Sequence, residues 1–132
     1  MIKVVAAIIK SGNKFMICQR PRGKSRALLW EFPGGKVEKG ETEELALIRE
    51  CREELGVIIE PKEKFITVTH KYPDIEIELS VYIAIIKSGE PKMIEHADIK
   101  WIEKSEIDNF EFCPADKDVL EKIKKELEKP AL

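Results

Sequence analysis

The sequence predicts an α/β protein in which a β-sheet is covered by helices. Three observations lead there: segments with strand character outnumber helical ones, the strands mix short hairpins with longer crossovers, and two stretches carry apolar residues at helical spacing. No internal repeat, linker or low-complexity tract interrupts the order, so residues 1–132 read as a single domain.

The elements follow in chain order. Ile2 to Ile9 is rich in Val and Ile, "KSGNK" supplies Gly12 and Asn13 as turn formers, and "FMICQR" resumes an extended apolar pattern. That is an opening hairpin. Pro21 to Ala27, "PRGKSRA", is a basic loop with Pro and Gly breakers, followed by "LLWEF" and the turn "PGG". Thr42 to Leu55 reads as a helix, with Gly56 free to take the left-handed conformation that ends one. After Pro61 comes the strand "FITVTH", a turn near Pro73, and "IEIELSVYIAII", whose first half alternates apolar and charged residues. "ADIKWIE" reads as a further short strand. "DKDVLEKIKKELE" closes the chain with Val119, Leu120, Ile123 and Leu127 at helical spacing.

Composition narrows the function. With 43% hydrophobic and 36% charged residues the chain is an ordinary globular protein, and a net charge of −2 announces no nucleic-acid surface. No stable nucleic-acid partner is expected. Cys18, Cys51 and Cys113 are odd in number, widely spaced and without a C-x-x-C pair, which argues against disulfides or a thiolate zinc site and for a reducing cytoplasm. The apolar run in "MIKVVAAIIK" is too short to span a bilayer and lacks a signal-peptide pattern, so no membrane association is expected.

"RECREELG", Arg49 to Gly56, crowds three glutamates onto the predicted helix. At about 100° per residue from Arg49, Glu53 falls near 40°, Glu50 near 100° and Glu54 near 140°. Cys51, Leu55, Ile48 and Leu45 then fall between roughly 200° and 320°, which predicts a dry face opposite a carboxylate face. Such a face is ordinarily solvated and paired at i,i+4. Here Glu50, Glu53 and Glu54 converge more closely than repulsion favours without a cation among them, and the glycines of "PGGKVEKGE" let backbone carbonyls approach the same point. Oxygen-only ligands suit a hard divalent ion, Mg2+ or Mn2+, which is commonly shared with substrate phosphates.

"GKVEKGETEELALIRECREELGV", Gly35 to Val57, resembles the Nudix box at every fixed position: Gly35, Glu41, Arg49, Glu50, Glu53, Glu54 and Gly56. Cys51 fills a slot more often aliphatic. "VVAAII", "QRP", "LWEFPGGKVE" and "CPAD" extend the likeness to the MutT-like branch, particularly to members acting on cytidine triphosphates. The resemblance implies an α/β/α sandwich around a mixed sheet. It also implies hydrolysis of a nucleoside triphosphate to a monophosphate and pyrophosphate, with cytidine or oxidised purine types as substrates and nucleotide-pool sanitation as the role.

It further implies residue roles. Glu50, Glu53, Glu54 and the Gly34 carbonyl would hold the metal, Arg49 would fix a glutamate in one rotamer, and Glu41 would support the loop entering the helix. The base activating water would be Glu50 or Glu95. Arg20 would contact phosphate; its plainer reading is part of a solvated basic loop. Phe32, Tyr72 and Asp116 would recognise the base, against a core aromatic for Tyr72 and an N-cap for Asp116. Asp116 could accept from the exocyclic amine of cytosine or of a guanine-type base alike. His70 and His96 lack metal-ligand spacing and read as ordinary, partly exposed residues. A nucleotide sugar, dinucleotide or capped-RNA substrate, or a noncatalytic regulator, are the competing functions. A monomer and a homodimer are both compatible with the sequence.

Overall fold

The computed structural model of the chain describes residues 1–126. Its order is β1 (Ile2–Ser11), β2 (Lys14–Gln19), β3 (Trp30–Glu31), β4 (Gly34–Lys36), α1 (Glu43–Leu55), β5 (Ile58–Lys71), β6 (Glu76–Ser88), β7 (Asp98–Ile102), two 3₁₀ turns (Lys104–Asn109 and Pro114–Asp116) and α2 (Lys117–Glu126). The sheet runs β3-β2-β1-β6-β5, with β4 also paired to β1 and β7 to β2. β1 and β6 are parallel while β5–β6, β1–β2 and β1–β4 are antiparallel, so the sheet is mixed.

β1 shows why "VVAAII" does not alternate. Val5, Ala7 and Ile9 pack with Ala46, Leu47, Cys51 and Leu55 of α1, whereas Ala6 and Ile8 belong to the cluster holding Val119 and Ile123 of α2. Both faces of β1 are covered, and a strand buried on both sides reads as a continuous apolar run. The helices therefore lie on opposite faces of the sheet, giving the predicted sandwich. Leu127 lies outside the described residues.

α1 begins where the sequence places it: Thr42 Oγ1 accepts from Leu45 N–H at 3.1 Å, and Gly56 closes the helix at φ 70°. The dry face is rotated from the expected one. Ala46, Leu47, Cys51, Glu54 and Leu55 are buried, and Leu45 is 58% exposed. On the wheel Ala46 and Leu47 fall near 60° and 160°, so the arc turned inward includes Glu50 and Glu54 instead of opposing them. A glutamate inside the buried arc is the first sign that this helix covers something polar.

β5 also starts earlier than expected and passes through Pro61. It is the edge strand, with register shifts around residues 61–66, and an edge or a bulge is where a strand tolerates the missing N–H.

Cys18, Cys51 and Cys113 are buried free thiols, each pushed up in pKa first by burial. Titration with a thiol reagent is therefore expected to find all three unreactive in the native protein and reactive in denaturant. Rapid native labelling of any of them would contradict this burial.

Candidate active site

β4 lies between β1 and α1, pairing Gly34 with Ala6 and Gly35 with Val5. It forms one wall of a cavity of about 570 Å³ whose other walls carry Glu50 and Glu54 of α1, Glu31 of β3, Arg20 just after β2, and Asp116. The absence of a side chain at Gly35 is a steric requirement. A Cβ there would occupy the space of the Glu50 carboxylate. At Gly34 it would run into the β1 backbone at Val5.

Arg49 organises the acids. Its Nε and Nη2 donate to the two oxygens of Glu41 at 2.7 and 2.9 Å, Nη1 donates to Glu50 Oε1 at 2.7 Å and to Glu53 Oε1 at 3.2 Å, and Nη2 also donates to the Lys36 carbonyl at 3.0 Å. This is far more than an i,i+4 surface pair. Hydrogen bonding from Arg49, followed by the Glu38 N–H, holds the Glu41 carboxyl down to about 2. Glu41 thereby links the Glu38 N–H, in the loop before α1, to the Arg49 guanidinium.

One guanidinium cannot neutralise every acid near it. Glu54 is 7% exposed, and its carboxyl is raised far above the usual range, first by burial and then by Glu50, with Glu31 and Glu95 adding to it. Glu53 differs from Glu50 and Glu54. It stands 48% exposed against Arg49 and is not among the cavity-lining residues. The i,i+4 pairing draws it outward. In this arrangement no three acidic, His or Cys side chains among the described residues converge at metal-ligand spacing. The donor chemistry nevertheless fits a hard cation: Glu50 and Glu54 present carboxylate oxygens side by side, one of them a buried carboxyl whose own acid neighbours oppose its ionisation.

The other end of the cavity is basic and aromatic. Arg20 Nη1 donates to Glu31 Oε1 at 3.0 Å and its Nε to the Ser25 carbonyl at 2.9 Å. Phe32 is buried between Phe15 and Phe112, each with ring centroids 6.1 Å away. Tyr72 is buried, its hydroxyl accepts from Ala115 N–H at 2.9 Å, and the Arg26 guanidinium lies 4.0 Å from its ring centroid. Tyr72 is thus a core aromatic and a cavity residue at once. Cys113 N–H donates to the Trp30 carbonyl at 2.9 Å, tying the following turn to β3 and setting Asp116 in the cavity wall. Asp116 is only 5% exposed, unlike a solvated helix cap, and burial raises its carboxyl well above the ordinary value.

Glu95 is exposed and borders the cavity, close enough to Glu54 to oppose its ionisation. His70 is partly exposed, as expected, and meets Tyr72 edge-on at 4.4 Å. His96 overturns its reading: the side chain is 4% exposed, with Nε2 3.3 Å from Glu31 Oε2 and 3.5 Å from Glu54 Oε1. A lone histidine in a loop gives no periodic signal of burial, and these partners are distant in sequence. Glu31, which the family motif does not include, also joins the site. Its place between buried Trp30 and Phe32 on a short strand, pointing away from their core, was the signal available.

The chain matches the family model described as NUDIX domain over residues 4–122. It is 37% identical to the CTP pyrophosphohydrolase of Escherichia coli K12, over 92% of this chain and 90% of that protein. It is 31% identical to the 8-oxo-dGTP diphosphatase of the same organism, over 94% and 97%. Among solved structures, the solution structure of the MutT protein from methicillin-resistant Staphylococcus aureus 252 superposes with a TM-score of 0.75 at 43% identity, covering 95% of this chain and 96% of that one.

Proposed function

We infer, from the premise that this chain belongs to the Nudix hydrolase family, how its cavity serves the reaction. It is a MutT-like nucleotide pyrophosphohydrolase, an enzyme that cleaves a phosphoric anhydride bond. Enzymes of this family generally use divalent metals. The finer reading is a Mg2+-dependent conversion of a nucleoside triphosphate, cytidine or oxidised guanosine type, to a monophosphate and pyrophosphate in the cytoplasm. The observation that carries it is Glu54, buried beside Glu50 on the wall of a nucleotide-sized cavity that Arg20 also lines.

Glu50 and Glu54, with Glu53 and the Gly34 carbonyl, are the residues that would hold Mg2+ or Mn2+. When bound, the ion neutralises the acids and stabilises negative charge on the phosphates. Arg49 fixes Glu50 through a 2.7 Å charge-assisted hydrogen bond while leaving its second oxygen free of that contact. Glu50 or Glu95 takes the proton of the attacking water. Arg20 offers its remaining donors to phosphate, and the base lies among Phe32, Tyr72 and Asp116.

Attack at the β-phosphorus joins the water oxygen to that atom and breaks its bond to the α,β-bridging oxygen, which leaves on the monophosphate. Hydrolysis in oxygen-18 water is therefore expected to label pyrophosphate. Label in the monophosphate would place attack at the α-phosphorus instead. A panel of nucleoside triphosphates, nucleotide sugars and dinucleotides with Mg2+, read by release of nucleoside monophosphate, tests the substrate class. Turnover confined to the non-triphosphates would refute it.

A further inference from the structure

His96 is fixed by the backbone on both sides. Lys92 N–H donates to the Leu55 carbonyl at 2.9 Å, tying the segment after β6 to the end of α1, and Ala97 N–H donates to the Gln19 carbonyl at 2.9 Å, tying it to β2. Between these ties the imidazole sits in the gap separating two carboxylates. Nε2 is hydrogen-bonded to Glu31 Oε2 at 3.3 Å and lies 3.5 Å from Glu54 Oε1. Glu31, whose other oxygen accepts from Arg20, is the acceptor at Oε2, which assigns the ring proton to Nε2. Nδ1 is buried and has no partner among the described residues. Leaving a buried polar atom unpaired is unfavourable, so the contacts at Nε2, and not the packing of an apolar plate, explain why a histidine stands here.

Glu31 uses both of its oxygens. Oε1 accepts from Arg20 Nη1 at 3.0 Å and Oε2 faces His96. Resting on the reading of Glu50 and Glu54 as the cation-holding wall, we propose that His96 is a positioning residue. Its Nε2–H is bonded to Glu31 and thereby sets the Arg20 guanidinium toward phosphate, while the same ring edge, 3.5 Å from Glu54 Oε1, limits where the Glu54 carboxyl can lie beside Glu50. One run of contacts, Arg20–Glu31–His96–Glu54, then joins four segments that the chain brings together only by folding. His96 touches neither water nor phosphate in this role; it orders the groups that do. Outer-shell hydrogen bonds of this kind typically govern metal affinity by one to two powers of ten.

The test separates an N–H at the Nε2 position from mere polarity. His96→Gln reaches about as far as Nε2, whereas His96→Asn places its amide near the Nδ1 position. Calorimetric titration with Mn2+ alone, without nucleotide, is expected to show His96→Asn weakened roughly ten- to hundredfold and His96→Gln within about threefold of the unaltered chain. KM for the triphosphate should rise in His96→Asn and recover in His96→Gln. Unchanged Mn2+ affinity in His96→Asn, or equal weakening in both variants, would overturn the proposal. Should His96→Asn melt without cooperativity, the unaltered chain still decides: Mg2+ titration followed by ring-nitrogen NMR must move the His96 Nε2 resonance, and a bound ion that leaves it unmoved overturns the role. A chain that takes up no Mn2+ at all refutes the cation-holding reading itself, and the role with it. Uptake that ignores His96 refutes the role alone.

Discussion

Glu54→Gln is expected to abolish most hydrolysis and yet to stabilise the metal-free fold. The side chain is 7% exposed, and its carboxyl is raised first by burial and then by Glu50. With the folded pKa above the unfolded one, the folded state holds a proton that the unfolded chain has released, so this group's effect on stability is absent below about pH 4 and becomes more unfavourable as pH rises toward the folded value. At pH 7 its ceiling is about 4 kcal/mol, the cost of protonating a carboxyl with an ordinary value near 4.3. Glutamine keeps the shape without the charge. Denaturant unfolding in chelator at pH 7 should therefore show Glu54→Gln more stable by about 1–3 kcal/mol, with the difference vanishing near pH 4. Adding Mg2+ should stabilise the unaltered chain and leave the variant unmoved. A kcat within tenfold of normal, or a variant less stable in chelator at pH 7, would contradict the reading of this glutamate as a residue kept for binding at the expense of stability.

Gly35→Ala is expected to lower turnover by roughly a hundredfold, as much as Glu50→Gln, the scale on which a general base contributes. An added Cβ would lie in the space of the Glu50 carboxylate, whereas the Arg49 guanidinium on the other side of that carboxylate is held by Glu41 and the Lys36 carbonyl. Glu50 must then leave its 2.7 Å contact with Arg49, because β4 is paired to β1 and cannot give way easily. The double variant should be little worse than either single one, since both remove the same placement of the same group. Steady-state kinetics on the three folded variants measures this. Additive losses would show that Gly35 acts elsewhere, and near-normal turnover in Glu50→Gln would remove Glu50 from the chemistry.

Much of this arrangement was legible in the residues. Thr42 and Gly56 bracket α1 because capping and left-handed closure are local, decided by side chains within a few positions. The box itself carries Glu50, Glu54 and Arg49 at spacings that a helix converts directly into positions. Glu53 marks what spacing leaves open: it stands one turn from Arg49 as the pattern places it, but that it is 48% exposed and lies off the cavity lining is visible only in the folded protein. Leu45 and Pro61 were misread for a related reason. Which face of a helix is covered, and which strand is an edge, depend on neighbours that local pattern does not name.

Residue pattern alone establishes the class of fold, the family and the acidic helix with its arginine, because periodicity, capping and the box all act over short distances along the chain. Folding adds that Glu54 is buried, that Gly35 makes room for Glu50, that Arg26 covers Tyr72, and that Glu31 and His96 join the site. Each of these rests on contacts between segments remote in sequence, and burial and charge are properties of what folding places nearby.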